Sequence, residues 1–117
     1  MVLEGSVPTG RAMILMEIAK HRVEQDEKHG AQLGVPVVRE DISYGISERA
    51  QRAACERASR EGKMSHMAII LEELAEVVHA KDAAAMREEL VQTAACLVKA
   101  IEAVDYQAAR MGVTREV

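Results

Sequence analysis

The strongest restriction on the fold of this chain comes from the stretch LEELAEVVHAKDAAAMREELVQTAACL, residues 71–97. Apolar residues recur there at helical spacing on both sides of a short polar break formed by Lys81 and Asp82. Asp82 is suited to cap the helix that follows, and a break this short leaves room for only a tight connection. The stretch therefore predicts two consecutive helices that pack antiparallel.

The amino-acid composition favours helices along the rest of the chain. Of the 117 residues, 49% are hydrophobic, and this fraction includes seven Met and two Tyr but no Phe and no Trp. Small and straight-chain apolar side chains suit helix packing better than a sheet. A chain of this length fits one domain with a moderate core.

Capping residues and glycines divide the chain into four predicted helices. Residues 1–10 contain Gly, Ser, Pro and Thr without periodicity and predict a flexible N-terminal arm. Residues 30–46 contain three Gly and one Pro and predict a long loop after the first helix. Ser47 and Ser65 are predicted caps. The predicted helices, 11–29, 48–61, 66–80 and 83–110, form a single all-α domain over residues 11–117.

The charge balance and the cysteines argue against several classes of function. The net charge is −4, from 15 basic and 19 acidic residues spread along the chain, so we expect no binding to a nucleic-acid polymer. No apolar run approaches the roughly 20 residues that span a bilayer, and the first residues lack the pattern of a secretion signal. We therefore expect a cytoplasmic protein that does not bind a membrane. Cys55 and Cys96 have no metal-ligand spacing and are predicted to be small core residues.

Two clusters of carboxylates lie within the antiparallel pair of predicted helices. Glu72, Glu73 and Glu76 fall within an arc of about 100° beside the apolar stripe of the first of these helices, and Glu89 and Gln92 occupy the corresponding flank of the second. Carboxylates beside a packed seam repel each other unless a cation neutralises them, and Mg²⁺ needs only one or two of them plus water and phosphate oxygens. Spacing alone leaves two interpretations open, a metal site and a solvated acidic face.

These residues resemble the motifs of the MazG-like branch of the all-α nucleoside triphosphate pyrophosphatases, especially its small phage and actinobacterial versions. That family has EExxE on one helix and ExxD on the next. Here residues 72–76 read EELAE and match the first motif in full, and residues 89–92 read ELVQ and match the second with Gln in place of Asp. The segments VEQDEKHG (23–30) and REELVQTAACLVKAIEAVD (87–105) also resemble the family, so the resemblance covers most of residues 18–105.

The resemblance implies a four-helix MazG-like bundle that hydrolyses a nucleoside triphosphate to the monophosphate and pyrophosphate. It implies Mg²⁺ as cofactor, with Mn²⁺ as a substitute, and in the family a partner subunit often completes each site. Ala-rich helix faces, especially around Ala94 and Ala95, leave apolar surface that a second copy would cover, so we expect a homodimer or homotetramer. The implied metal ligands are Glu73, Glu76, Glu89 and Gln92, and the implied catalytic residues are Glu72 and Glu73. Glu72 would activate the attacking water or support the ligands. Gln92, as a neutral ligand, should bind the metal more weakly than Asp.

A triphosphate also requires positively charged partners. Lys28 matches a lysine in the family's first-helix segment, and Lys99 lies seven residues after Gln92 on nearly the same face. We expect Lys28, Gln25, His29 and Lys99 to bind substrate, with His29 stacking on the base where relatives often have Trp. The alternatives are an ordinary surface lysine at position 99 and, for His29, a helix-terminal residue that favours the negative end of the dipole.

Other functions compete with hydrolysis. Gln92 favours a non-catalytic protein that keeps the metal ligands and binds a nucleotide without cleaving it, and a helical interaction protein that binds neither is a further alternative. Residues 76–79 read EVVH, an ExxH element of the kind that di-iron bundles use, but those bundles need two copies and further glutamates on other helices. The base preference and the biological role stay open, because specificity depends on a few pocket contacts.

Overall fold

The computed structural model of the protein describes residues 10–112, and every element of regular secondary structure in that range is an α-helix. The prediction of an all-α chain with four helices is therefore confirmed for these residues. The predicted arm lies outside them apart from Gly10, which begins the first helix, and the single domain predicted over 11–117 stays a prediction. The helices are α1 (Gly10–His29), α2 (Glu48–Arg60), α3 (His66–Val78) and α4 (Ala83–Arg110).

Side-chain caps start three of the helices at the positions that the sequence predicts. Backbone N–H groups of the first turn donate to the side-chain oxygen of Ser47 at 3.2 Å before α2, of Ser65 at 3.1 Å before α3 and of Asp82 at 2.8 Å before α4. Each cap satisfies a donor that the first helical turn leaves unpaired. The starts of α2, α3 and α4 are thus fixed by local chemistry.

The helix ends agree closely with the predictions except at α3. The chain leaves α1 at Gly30 with a φ of 73°, a conformation that favours glycine. α3 ends at Val78, two residues earlier than predicted. His79, with φ −104° and ψ 15°, terminates the helix, and its Nε2 lies 3.2 Å from the carbonyl oxygen of Ile46, to which it donates. The two residues of this contact are far apart in the sequence, so helical periodicity could not reveal it.

One compact unit spans Val38–Ala100 and contains α2, α3 and most of α4. In this unit α2 and α3 pack antiparallel. The thiol of Cys55 donates to the Ala68 carbonyl at 3.1 Å near the start of α3, whereas the bond to Ile46 comes from His79 at the end of α3. The buried side chains of the unit are Cys55, Ile70, Ala75, Val77 and Thr93.

The other unit combines Met1–Val37 with Ile101–Val117, of which the structure describes residues 10–37 and 101–112. It contains α1 and the end of α4, which are joined by an ion pair between Arg11 Nε and Glu102 Oε1 at 2.8 Å. Ala12 and Ile14 are the buried residues of α1. Neither α1 nor any other helix within residues 10–112 has the length and apolar character needed to cross a membrane.

The long loop predicted after α1 is confirmed, because residues 30–46 contain neither helix nor strand. Just before α2, Arg39 pairs with Asp41 at 3.0 Å, and the backbone N–H of Arg39 donates to the hydroxyl of Tyr44 at 2.9 Å. The hydrogen bond from Arg39 lowers the pKa of Asp41. The end of the loop is therefore held by local polar contacts.

Candidate metal centre

Three glutamates from two helices meet in the unit Val38–Ala100. Glu73 and Glu76 lie one turn apart on α3, and Glu89 lies near the start of α4. Each residue offers a carboxylate oxygen, and these oxygens all lie within 4.8 Å of one another. Only a short segment separates α3 from α4, and the antiparallel packing of these two helices stays a prediction. The structure thus brings together the three glutamates that the resemblance assigns to the metal.

The three side chains are half-buried, and two of their oxygens are shielded from water without gaining a partner. Glu73 Oε2 and Glu89 Oε2 are buried and have no hydrogen-bond partner among the described residues. Their near neighbours are other carboxylate oxygens, which cannot donate unless they are protonated. Leaving a buried carboxylate oxygen unpaired is costly. The cluster therefore requires a proton or a cation among its oxygens.

Burial and repulsion from neighbouring carboxylates raise the pKa values of Glu73 and Glu76. For Glu73, burial has the largest effect, and the charge of Glu89 raises the pKa further. For Glu76, burial followed by a hydrogen bond to Glu89 raises the pKa to about 7. A bound cation would act in the opposite direction, because it favours the ionised carboxylates. Glu76 can thus hold a proton near neutral pH or release it to a metal.

The ligand set fits a hard divalent cation. All three ligands are carboxylates, without a thiolate or an imidazole among them, which is the chemistry of Mg²⁺, Ca²⁺ and Mn²⁺ sites. Mg²⁺ lies about 2.1 Å from its ligands, so oxygens on opposite sides of the ion are about 4.2 Å apart. Three oxygens that all lie within 4.8 Å of one another are near enough to bind one such ion. An exposed acidic group would be no evidence for metal, but the buried unpaired oxygens distinguish this cluster.

Glu72 and Gln92 flank the cluster. Glu72 is half-buried on the side of α3 that faces α2, where burial followed by a hydrogen bond to Glu72 raises the pKa of the Cys55 thiol to about 11. Gln92 is exposed on α4, about one turn after Glu89. The assignments of Glu72 as a catalytic residue and of Gln92 as a metal ligand stay predictions.

Other residues of α4 extend this face toward its C-terminal end. Thr93 is buried, and its hydroxyl donates to the carbonyl of Glu89 at 2.7 Å. Burial and then the charge of Glu73 raise the pKa of Cys96, while the charge of Lys99 acts to lower it. Cys96 therefore lies near both groups, and Lys99, although exposed, is in the neighbourhood of the cluster. Its role in substrate binding stays a prediction.

The remaining predicted substrate-binding residues, Gln25, Lys28 and His29, are exposed at the end of α1 and belong to the other compact unit. The side-chain oxygen of Gln25 accepts a hydrogen bond from Arg22 at 3.0 Å. Lys28 and His29 lie in the last turn, where a positive charge interacts well with the helix dipole. The role of these three residues in substrate binding stays a prediction.

Sequence reasoning missed a cleft of about 690 Å³ at the start of α2. Two arginines, Arg49 and Arg52, contribute to its wall. The available signal was the segment SERAQR, in which a capping serine is followed by two arginines that lie about one helical turn apart. Nothing in the sequence connects this segment to α3. The residues lining the cleft are Ile46, Ser47, Glu48, Arg49, Arg52 and His79.

Comparison of the chain with known proteins found no matching family model and no similar curated protein or solved structure. A function is therefore argued from the geometry of the carboxylates together with the sequence motifs that they occupy.

Proposed function

We propose that this protein is a Mg²⁺-dependent nucleotide pyrophosphohydrolase of the MazG-like type, which cleaves a nucleoside triphosphate to the monophosphate and pyrophosphate. The observation that carries the proposal is the cluster of Glu73, Glu76 and Glu89, whose oxygens lie within 4.8 Å of one another. A solvated acidic face would leave its oxygens in water, whereas Glu73 and Glu89 each have a buried oxygen without a partner. The same three residues occupy glutamate positions of the EExxE and ExxD motifs.

The proposal assigns each side chain a role from the motifs and from its place near the cluster. Glu73, Glu76 and Glu89 would hold Mg²⁺, with Gln92 as a neutral further ligand. A metal held there would supply positive charge to neutralise the leaving pyrophosphate. Glu72, beside the cluster, would accept a proton from the water that attacks the α-phosphorus or support the ligands through its charge. The chain itself thus provides the metal ligands, a proton acceptor and a partly dry setting that strengthens their interactions.

The test is pyrophosphate release from a panel of ordinary and modified nucleoside triphosphates, with and without Mg²⁺. We expect release from at least one nucleotide only with the metal. Glu73→Gln should reduce the rate by more than about 100-fold, because even partners that merely orient a metal ligand contribute about 10–100-fold. Glu88→Gln is the matched control, since Glu88 is exposed and outside the cluster. No release from any nucleotide by the folded protein would contradict the proposal, as would an equal loss in the control.

Gln92 favours a second candidate function, nucleotide binding without turnover. An amide at the position of the motif's Asp contributes no negative charge, so metal binding should be weaker than in an ExxD protein. This candidate predicts that calorimetry detects binding of a nucleotide with Mg²⁺ while no pyrophosphate appears. It also predicts that Gln92→Asp gains measurable release.

The proposal includes assembly into a homodimer or homotetramer of MazG-like arrangement. Large apolar side chains on α1 and α4 support it, because several of them are exposed in the single chain, including Met16 at 62%, Val23 at 57% and Val104 at 63%. A second copy of the chain would cover such surface.

A further inference from the structure

The cleft at the start of α2 is an open depression of about 690 Å³ that has the charge of an anion-binding site. Arg49 has no hydrogen-bond or ion-pair partner within residues 10–112, whereas Arg52 pairs with Glu48 at 2.7 Å. The one acidic group of the cleft is thus already neutralised by Arg52. The cleft keeps a free guanidinium, a group that binds phosphate oxygens through paired hydrogen bonds.

The antiparallel packing of α2 and α3 brings these arginines to the level of the carboxylate cluster. Two contacts fix the alignment, one between Ile46 and His79 and one between Cys55 and Ala68. Arg49 and Arg52 lie between Ile46 and Cys55, so they run alongside the later part of α3. That part of α3 carries Glu72, Glu73 and Glu76.

The cleft and the cluster also share one face of α3. His79, which lines the cleft, falls within an arc of about 60° of the helix circumference together with Glu72 and Glu76. Glu76 in turn belongs to the cluster with Glu73 and Glu89. A ligand that extends from the carboxylates across Glu76 toward His79 therefore reaches the arginines without leaving this face.

We propose that Arg49, with Arg52 beside it, binds the terminal phosphates of the nucleotide in this cleft while the carboxylate cluster holds the metal. The identification of the anion as a nucleotide polyphosphate rests on the proposed function, whereas the binding of a polyphosphate anion by the cleft does not. Arg49 and Arg52 then act as substrate-binding residues of α2, in addition to the lysines expected from the sequence. His79 is a positioning residue, because its bond to Ile46 holds the wall of the cleft.

The first experiment titrates inorganic tripolyphosphate into the full chain by calorimetry, without metal and at low ionic strength. We expect binding that Arg49→Gln weakens about fivefold to tenfold, a magnitude reasonable for a charged hydrogen bond at an exposed site. Arg49→Lys should recover part of the loss, since lysine keeps the charge but not the fork of donors. Arg60→Gln is the control, because it removes the same charge from the far end of α2.

Equal binding by the wild type and Arg49→Gln would overturn the assignment, as would an equal loss in Arg60→Gln, which would indicate a general effect of surface charge. Among the described residues Arg49 has no partner to lose, so the Arg49→Gln variant should keep the wild-type circular dichroism. If it does not, Arg49→Lys provides the same comparison with the charge retained. Full wild-type binding by the lysine variant would then contradict a role for the paired donors of the guanidinium.

Hydrolysis kinetics separate a failure of this inference from a failure of the proposed function. In an active enzyme, Arg49→Gln should raise KM about fivefold to tenfold with a smaller change in kcat, as expected when binding shared by substrate and transition state is removed. If Arg49→Gln hydrolyses the nucleotide with an unchanged KM, the role of the cleft is contradicted, whereas the pyrophosphohydrolase activity is supported. Tripolyphosphate binding that depends on Arg49, in a protein that hydrolyses no nucleotide, would support the cleft as an anion site and reject the pyrophosphohydrolase.

Discussion

Glu76 is the residue at which a proton and the proposed metal would compete most directly, because burial and the neighbouring carboxylates raise its pKa to about 7. A raised pKa means that the folded state binds the proton more tightly than the unfolded state. The resulting stabilisation is present below the ordinary pKa of 4.5 and is lost as the pH rises through about 7. In the absence of metal, we expect the Tm to fall by several degrees between about pH 5 and about pH 8, measured by differential scanning calorimetry.

Mg²⁺ should raise the Tm again near pH 8 and have little effect on it near pH 5, because the cation takes the place of the protons. Glu76→Gln should flatten the pH dependence and remove most of the response to Mg²⁺, while Glu88→Gln should keep both. Arginine partners lower the pKa values of Asp41 and Glu102, so the stability from those groups is lost only in more acidic solution. A Tm that does not change with pH in the metal-free protein would contradict the role assigned to Glu76.

Residue spacing identified the glutamates of the cluster but could not show whether their oxygens are exposed to water. The spacing of Glu73, Glu76 and Glu89 and their match to a motif were sufficient to choose three residues that the structure brings together. Spacing could not distinguish a metal site from a solvated face, because the difference depends on how far packing excludes water from the oxygens. Arg49 and Arg52 were missed for a related reason. They lie more than 20 residues before the first of these glutamates, and only the pairing of α2 with α3 brings them alongside.

At the scale of single helices, α4 depends on its cap. Asp82 Oδ1 accepts the N–H of Ala85 at 2.8 Å, and the helix that begins there carries Glu89. We expect Asp82→Ala to reduce the free energy of unfolding by about 1 kcal/mol, because the first turn loses its side-chain acceptor. Urea denaturation checks this value. Asp82→Asn, which keeps an acceptor at the same position, should lose much less, and equal losses in the two variants would show that the cap contributes nothing.

Helix positions were predictable where local chemistry decides them. Serine or aspartate caps precede α2, α3 and α4, and Gly30 follows α1, so the starts and most ends could be read from the sequence. The end of α3 was placed two residues too late, since the bond between His79 and Ile46 depends on the fold.

For the whole molecule, the described residues bury little of their apolar surface. No large side chain among them is completely buried, and in α1 only Ala12 and Ile14 are buried. Met16 and Val23 lie seven residues apart and therefore on one face of α1, and both are exposed. A soluble monomer rarely leaves a continuous apolar face in water, so this face is a reasonable contact for a second copy of the chain.

We expect light scattering coupled to size-exclusion chromatography to give two or four times the mass of one chain. The double variant Met16→Gln and Val23→Gln should shift the protein toward the monomer, because the apolar area available for burial is reduced while the charge is unchanged. Lys20→Gln is the control on the same helix, since Lys20 is exposed and polar already. If a partner subunit completes the site, the double variant should also lose pyrophosphate release, and concentrating it should recover both the larger mass and the activity. A wild-type protein that stays monomeric at high concentration would contradict the assembly, and full activity in that monomer would place the whole site within one chain.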